Sequence, residues 1–181
     1  EGVERLRAPC PDHVRAQCWS IAGESFGADP GLVSAATRAR AELCRRGVEV
    51  LAVKSSVICT ERLNAARAAG TNRFVTDLHA MESLILAHRA QVDSGVVAIC
   101  GKVGGMGAYS RFFGPLGGRL HLVLDQRRER SAYRFPGVGE LHFVRDADAS
   151  DPLVMLASLV GKWVRELLMA RVGRWYEGAG L

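Results

Sequence analysis

At 181 residues and 19.6 kDa, with 48% hydrophobic and 24% charged residues, the chain has the composition of one globular domain, which excludes an intrinsically disordered segment. Five cysteines (Cys10, Cys18, Cys44, Cys59, Cys100) form no CxxC pair, and there is neither a secretory leader nor an apolar run of about 18 residues; this argues against a disulfide scaffold or a membrane partner and for the cytoplasm. The net charge of +5 is concentrated between residues 102 and 145, where eight basic residues face three acidic ones, so a polyanionic partner fits, with a solvated arginine-rich face as the alternative.

In chain order, residues 1–28 mix prolines and glycines with Trp19 and Phe26 and follow neither period, which reads as an irregular insertion. The chain starts at Glu1 without a methionine, as if continuing a longer sequence. Asp29-Pro30 is a cap followed by a first-turn proline, and Leu32, Val33, Ala36, Ala39 and Leu43 then recur at helical spacing, which predicts a helix over 30–46 stopped by Gly47. VEVLAV predicts a strand over 48–54, and a short helix is expected from Thr60 to Ala69, closed by Gly70.

Thr76 is the expected cap of the next helix, whose apolar positions Leu78, Met81, Leu84 and Ile85 carry it to about Ala90. The continuous run VVAIC at 96–100 predicts a strand covered on both faces and central in its sheet. A glycine-dense loop follows, then strands at HLVL, SAYRF and LHFV. Asp151-Pro152 starts a long helix expected to end at 172, before Gly173, with 173–181 as a tail. The resulting class is α/β, a mixed central sheet flanked by helices, in one domain with a core over 29–172.

The residues that suggest chemistry gather where the last strand meets the last helix. On an extended backbone Asp146 and Asp148 point to the same side, and paired carboxylates at a strand end are the hard oxygen ligands that Mg²⁺ or Mn²⁺ requires. The bland alternative is that these acids, with Asp151, only favour the positive end of the helix. Ser158, Lys162 and Arg165 follow at helical spacing, as a supporting shell or as an exposed stripe, and Glu166 lies four residues beyond Lys162, where an ion pair is expected.

The loop from Gly104 to Gly118 lacks the GxxxxGKS/T pattern, which excludes a P-loop. The backbone at Gly104 and Gly105, with Lys102 and Arg111 beside it, is nonetheless a candidate for phosphate contact, against a plain turn and solvated cations. Tyr109, Phe112, Phe113 and Tyr133 are candidates either for stacking or for the core, and the five histidines show no metal spacing.

The segment DADASDPLVMLASLVGKWVRELLM resembles the signature of the type 2 ribonucleases H, an aspartate followed by a helix of the form A-S-x-x-A-K-x-x-R-D/E-x-x-M. The matching positions are Ala157, Ser158, Gly161, Lys162, Arg165, Glu166 and Met169. Upstream, VEVLAVKSSVICTERLN and FVTDLHAMESLIL look like the family's strand, short helix and A-M helix, so the likeness covers residues 30–172. It implies a ribonuclease H-like fold, here with an incomplete sheet, and metal-dependent endonucleolytic cleavage of the RNA strand in RNA/DNA hybrids.

Of the four carboxylates the family uses, the resemblance carries over only Asp148. The position at the end of the central strand is Gly101, and the Asp-Glu strand would precede residue 1. Either the site is rebuilt around Asp146 and Asp148, or the protein is a non-catalytic nucleic-acid-binding relative. Under either reading, Lys102, Gly104, Gly105, Arg111, Ser158, Lys162 and Arg165 are the expected nucleic-acid contacts.

Overall fold

A computed structural model of the chain describes residues 27, 29–103 and 106–178. Apart from Gly27, the insertion expected over 1–28 lies outside the described residues. The described residues divide into two compact units, one formed by 56–162 and the other holding the residues up to Ser55 and those from Trp163 onward.

In the latter unit α1 (Pro30–Arg45) starts as the sequence predicts: the Asp29 carboxylate accepts from the Leu32 N–H at 3.0 Å, and proline occupies the first turn. It ends on Gly47, whose φ of +77° lets the Val48 N–H reach the Leu43 carbonyl at 2.9 Å. The strand expected over 48–54 does not form; this stretch is irregular, and Val48, Val50, Leu51 and Val53 stand exposed. Strand propensity is realised only when another strand supplies the ladder, and the short VEVLAV run carries no information about a partner.

The second unit begins with α2 (Thr60–Ala68) and α3 (Arg73–Arg89). The cap of α3 is Asn72, not Thr76: the Asn72 side chain accepts from the Val75 N–H at 3.0 Å, and Thr76 lies inside the first turn. Beyond α3 come β1 (Val96–Gly101), a single 3₁₀ turn at Ser110–Phe112, and the strands β2 (Leu122–Gln126), β3 (Arg130–Phe135) and β4 (Gly139–Val144). The sheet order is β1-β4-β3-β2, with β1 parallel to β4 and the other pairs antiparallel, so the mixed α/β sheet is present.

Among the described residues β1 lies at the edge of the sheet rather than at its centre, and Val96, Ala98 and Cys100 pack against the core while Val97 is 67% exposed. A continuous apolar run satisfies a one-sided strand as readily as a two-sided one, and the run cannot tell them apart.

Leu78 and Ile85 of α3, Tyr109 and Leu116 of the long loop, and Tyr133, Phe135, Leu141 and Phe143 of the sheet form one buried cluster. The Tyr109 ring stacks on Phe143 at 4.0 Å, and the buried Tyr133 hydroxyl accepts from the Tyr109 N–H at 2.9 Å. Tyr109 and Tyr133 are therefore core residues, each with its hydroxyl hydrogen-bonded.

After β4 a one-turn helix, α4 (Ala147–Ser150), precedes α5 (Pro152–Gly178), which runs from one unit into the other. The Asp151 carboxylate accepts from the Leu153 N–H at 2.9 Å and the Val154 N–H at 3.1 Å, the expected cap. Asp151→Ala is expected to lower stability by about 1 kcal/mol, the usual value of such a cap, read as the shift in a urea melt followed by circular dichroism. The helix continues through Gly173, where the sequence predicts its end: a glycine inside a helix costs about 1 kcal/mol and does not by itself terminate it. Residues 173–178 are therefore helix, not tail. Among the described residues, no helix is long and apolar enough to cross a membrane.

Candidate functional site

The parallel pair β1 and β4 brings Gly101 opposite Val144, so the carboxyl ends of the two strands lie side by side, and α4 packs beside β1 at that end. Carboxyl ends of adjacent parallel strands are where open α/β sheets hold their ligands. Four expected site residues, Gly101, Lys102, Asp146 and Asp148, belong to this end.

The two aspartates do not share an extended backbone. Asp146 sits in the left-handed region, φ +50° and ψ +37°, a conformation that short polar side chains such as aspartate tolerate better than most. Asp148 follows in the single turn of α4, and residues two apart in a helical turn do not face each other. The exposed Asp146 carboxylate lies 3.2 Å from Arg145 Nε, and the Asp148 side chain is exposed, with no hydrogen bond or ion pair among the described residues. The extended backbone expected to aim both acids to one side is therefore absent. Among the described residues no three His, Cys, Asp or Glu side chains gather as a metal site.

Lys102 is committed elsewhere than to a free phosphate. Its Nζ donates to the carbonyls of Arg127 at 2.7 Å and Arg128 at 2.8 Å, fastening the β2–β3 turn to the end of β1. Partial desolvation holds its pKa below the ordinary lysine range, against the opposing charges of Glu129 and Asp125. Arg111 is exposed, its guanidinium 4.8 Å from the centre of the Phe112 ring. Gly104 and Gly105 lie outside the described residues.

On α5, Ser158 is half-buried and Lys162 exposed, both in the unit that contains the sheet. Arg165 falls in the other unit and pairs with Glu166 at 2.6 Å, taking the acid expected to face Lys162.

Two polar groups with defined partners escape the motifs of the sequence. Glu82 of α3 is fully buried; its Oε2 accepts from the N–H of Leu116 at 2.7 Å and of Gly114 at 3.1 Å, gripping the loop that carries Tyr109. His79, one turn earlier, donates from Nε2 to the Phe112 carbonyl at 3.0 Å. A signal for Glu82 is nonetheless present in the sequence: an acid sits between Leu78 and Ile85 on the apolar stripe of an amphipathic helix, where a charge needs a partner.

The other is His142 on β4, whose Nδ1 meets Arg130 Nη2 and whose Nε2 lies 2.9 Å from Glu140 Oε2. A guanidinium can only donate, so Nδ1 accepts and the ring proton sits on Nε2 facing Glu140. The Arg134 guanidinium, followed by His142, holds the Glu140 carboxyl below its ordinary range. This polar row lies on the sheet face opposite the core.

Comparison with known proteins finds no matching family model, no matching curated protein and no matching solved structure.

Proposed function

We propose that this chain is a nucleic-acid-binding member of the ribonuclease H-like fold with RNA/DNA hybrid as its partner, and that its described residues do not assemble a hydrolytic carboxylate set. The observation that carries this reading is the end of the β1–β4 pair, where a carboxylate follows one strand at Asp148 and a glycine ends the other at Gly101. A hard divalent cation draws several oxygens to one point, and a glycine side chain supplies none.

The second reading is the metal-dependent endonuclease itself, favoured by the register of Ser158, Lys162, Arg165 and Glu166 behind Asp148. Fluorescence anisotropy with a labelled RNA/DNA hybrid, followed by gel analysis of the RNA strand after incubation in Mg²⁺ or Mn²⁺, separates the two. Salt-sensitive binding with the RNA intact is the expected result. Cleavage that disappears in Asp148→Asn would replace the binding module with the nuclease, and absence of binding would remove both.

A further inference from the structure

We propose that the turn Arg127–Glu129 between β2 and β3 is the phosphate-contacting element of this protein, with Lys102 as the residue that positions it; the proposal rests on the nucleic-acid-binding reading above. All three carbonyls of the turn are turned inward. Those of Arg127 and Arg128 accept from Lys102 Nζ at 2.7 and 2.8 Å, and that of Glu129 accepts from the Arg145 N–H at 2.8 Å. The turn is thereby fixed to the ends of both β1 and β4.

The Arg127 N–H donates to the Arg130 carbonyl at 2.7 Å, so what the turn offers outward is its arginine side chains. Arg127 and Arg128 are both exposed. The Arg128 side chain makes no hydrogen bond or ion pair among the described residues, while Arg127 lends Nε and one Nη2 bond to Asp125 and keeps its remaining N–H groups. Guanidinium N–H groups in a fixed frame match phosphate oxygens, and phosphate contacts set register without reading sequence. The neighbouring acids Asp125 and Glu129 offset much of the local charge, so the turn supplies a short-range contact to one or two phosphates rather than long-range attraction. A lysine held partly out of water for the sake of two carbonyls explains why Lys102 is not itself the exposed contact.

The test compares Arg127→Ala/Arg128→Ala with Arg67→Ala, an exposed arginine on α2 of the same unit, by anisotropy of a labelled RNA/DNA hybrid over a series of salt concentrations. The double variant is expected to bind about tenfold more weakly at low salt. Its salt slope is expected to fall by about 1.8, at about 0.9 for each phosphate that an arginine no longer neutralises. The Arg67 variant is expected to match the wild type. Wild-type binding that the double variant leaves unchanged, or lowers no more than Arg67→Ala does, overturns the turn while leaving the binding reading standing. A wild type that binds no hybrid overturns both.

Discussion

Gly139→Ala is expected to lower the unfolding free energy by about 4 kcal/mol, summing roughly 1–3 for strained backbone and roughly 1–3 for overpacking. Gly139 has φ +135°, and a Cβ there would lie 1.9 Å from the Val96 carbonyl oxygen, inside the backbone of the neighbouring strand. Neither group can move without separating β1 from β4, because Val96 and Gly139 are the first pair of their register. Gly101→Ala, at the other end of the same ladder, meets nothing within 4 Å and is expected to stay within about 0.5 kcal/mol of wild type. Urea melts of the two variants measure the difference, and equal midpoints would mean that the strands do not approach as described.

The second large effect is at Glu82. Burial raises its pKa above the ordinary 4.5, opposed by the N–H groups of Leu116 and Gly114 and by His79. Both short N–H bonds go to Oε2, so a proton on Oε1 leaves them in place. A raised folded-state pKa contributes stability that is complete below the unfolded value and is lost as pH rises through the folded one. Glu82→Ala leaves two N–H donors without partners and is expected to cost about 2 kcal/mol at neutral pH. The gap between wild type and variant widens as pH falls toward 4.5. Glu82→Gln keeps an acceptor and does not titrate, so its stability gap to Glu82→Ala stays constant over the same range. Urea melts at the two ends of the range read the sign directly, and a gap that narrows on acidification would show that the folded protein prefers the carboxylate.

Local signals in the sequence identify the starts of α1, α2 and α5 and the strands of the meander, but not the start of α3. Asp29-Pro30 and Asp151-Pro152 announce caps that the structure contains, because capping involves only residues within one turn of each other. SAYRF and LHFV are strands because alternation places Tyr133, Phe135, Leu141 and Phe143 on one face, where the core forms. What depends on distant partners is not legible. The VEVLAV run has strand-forming residues but no pairing strand among the described residues, and VVAIC gives no hint that it lies at the edge of the described sheet.

The candidate site is legible in its location and not in its geometry. The ends of β1 and β4 meet where Gly101 and Asp148 are expected to matter. Yet a left-handed residue at Asp146 replaces the extended backbone that would have aimed both acids together. The engagement of Lys102 with the turn carbonyls joins residues about 25 positions apart, the kind of contact that no local spacing encodes.

The parallel ladder between β1 and β4 also bears on the order of assembly. β2, β3 and β4 are joined by short turns and close their ladders locally, whereas β1 reaches β4 only after the entire intervening chain has been folded back. Closing that longer loop carries the larger entropic cost and comes late. β1 is thus expected to be the last of the four described strands to dock. Because Lys102 follows directly on β1, its departure also releases the carbonyls of the arginine turn, so the presentation of the turn depends on the sheet having closed.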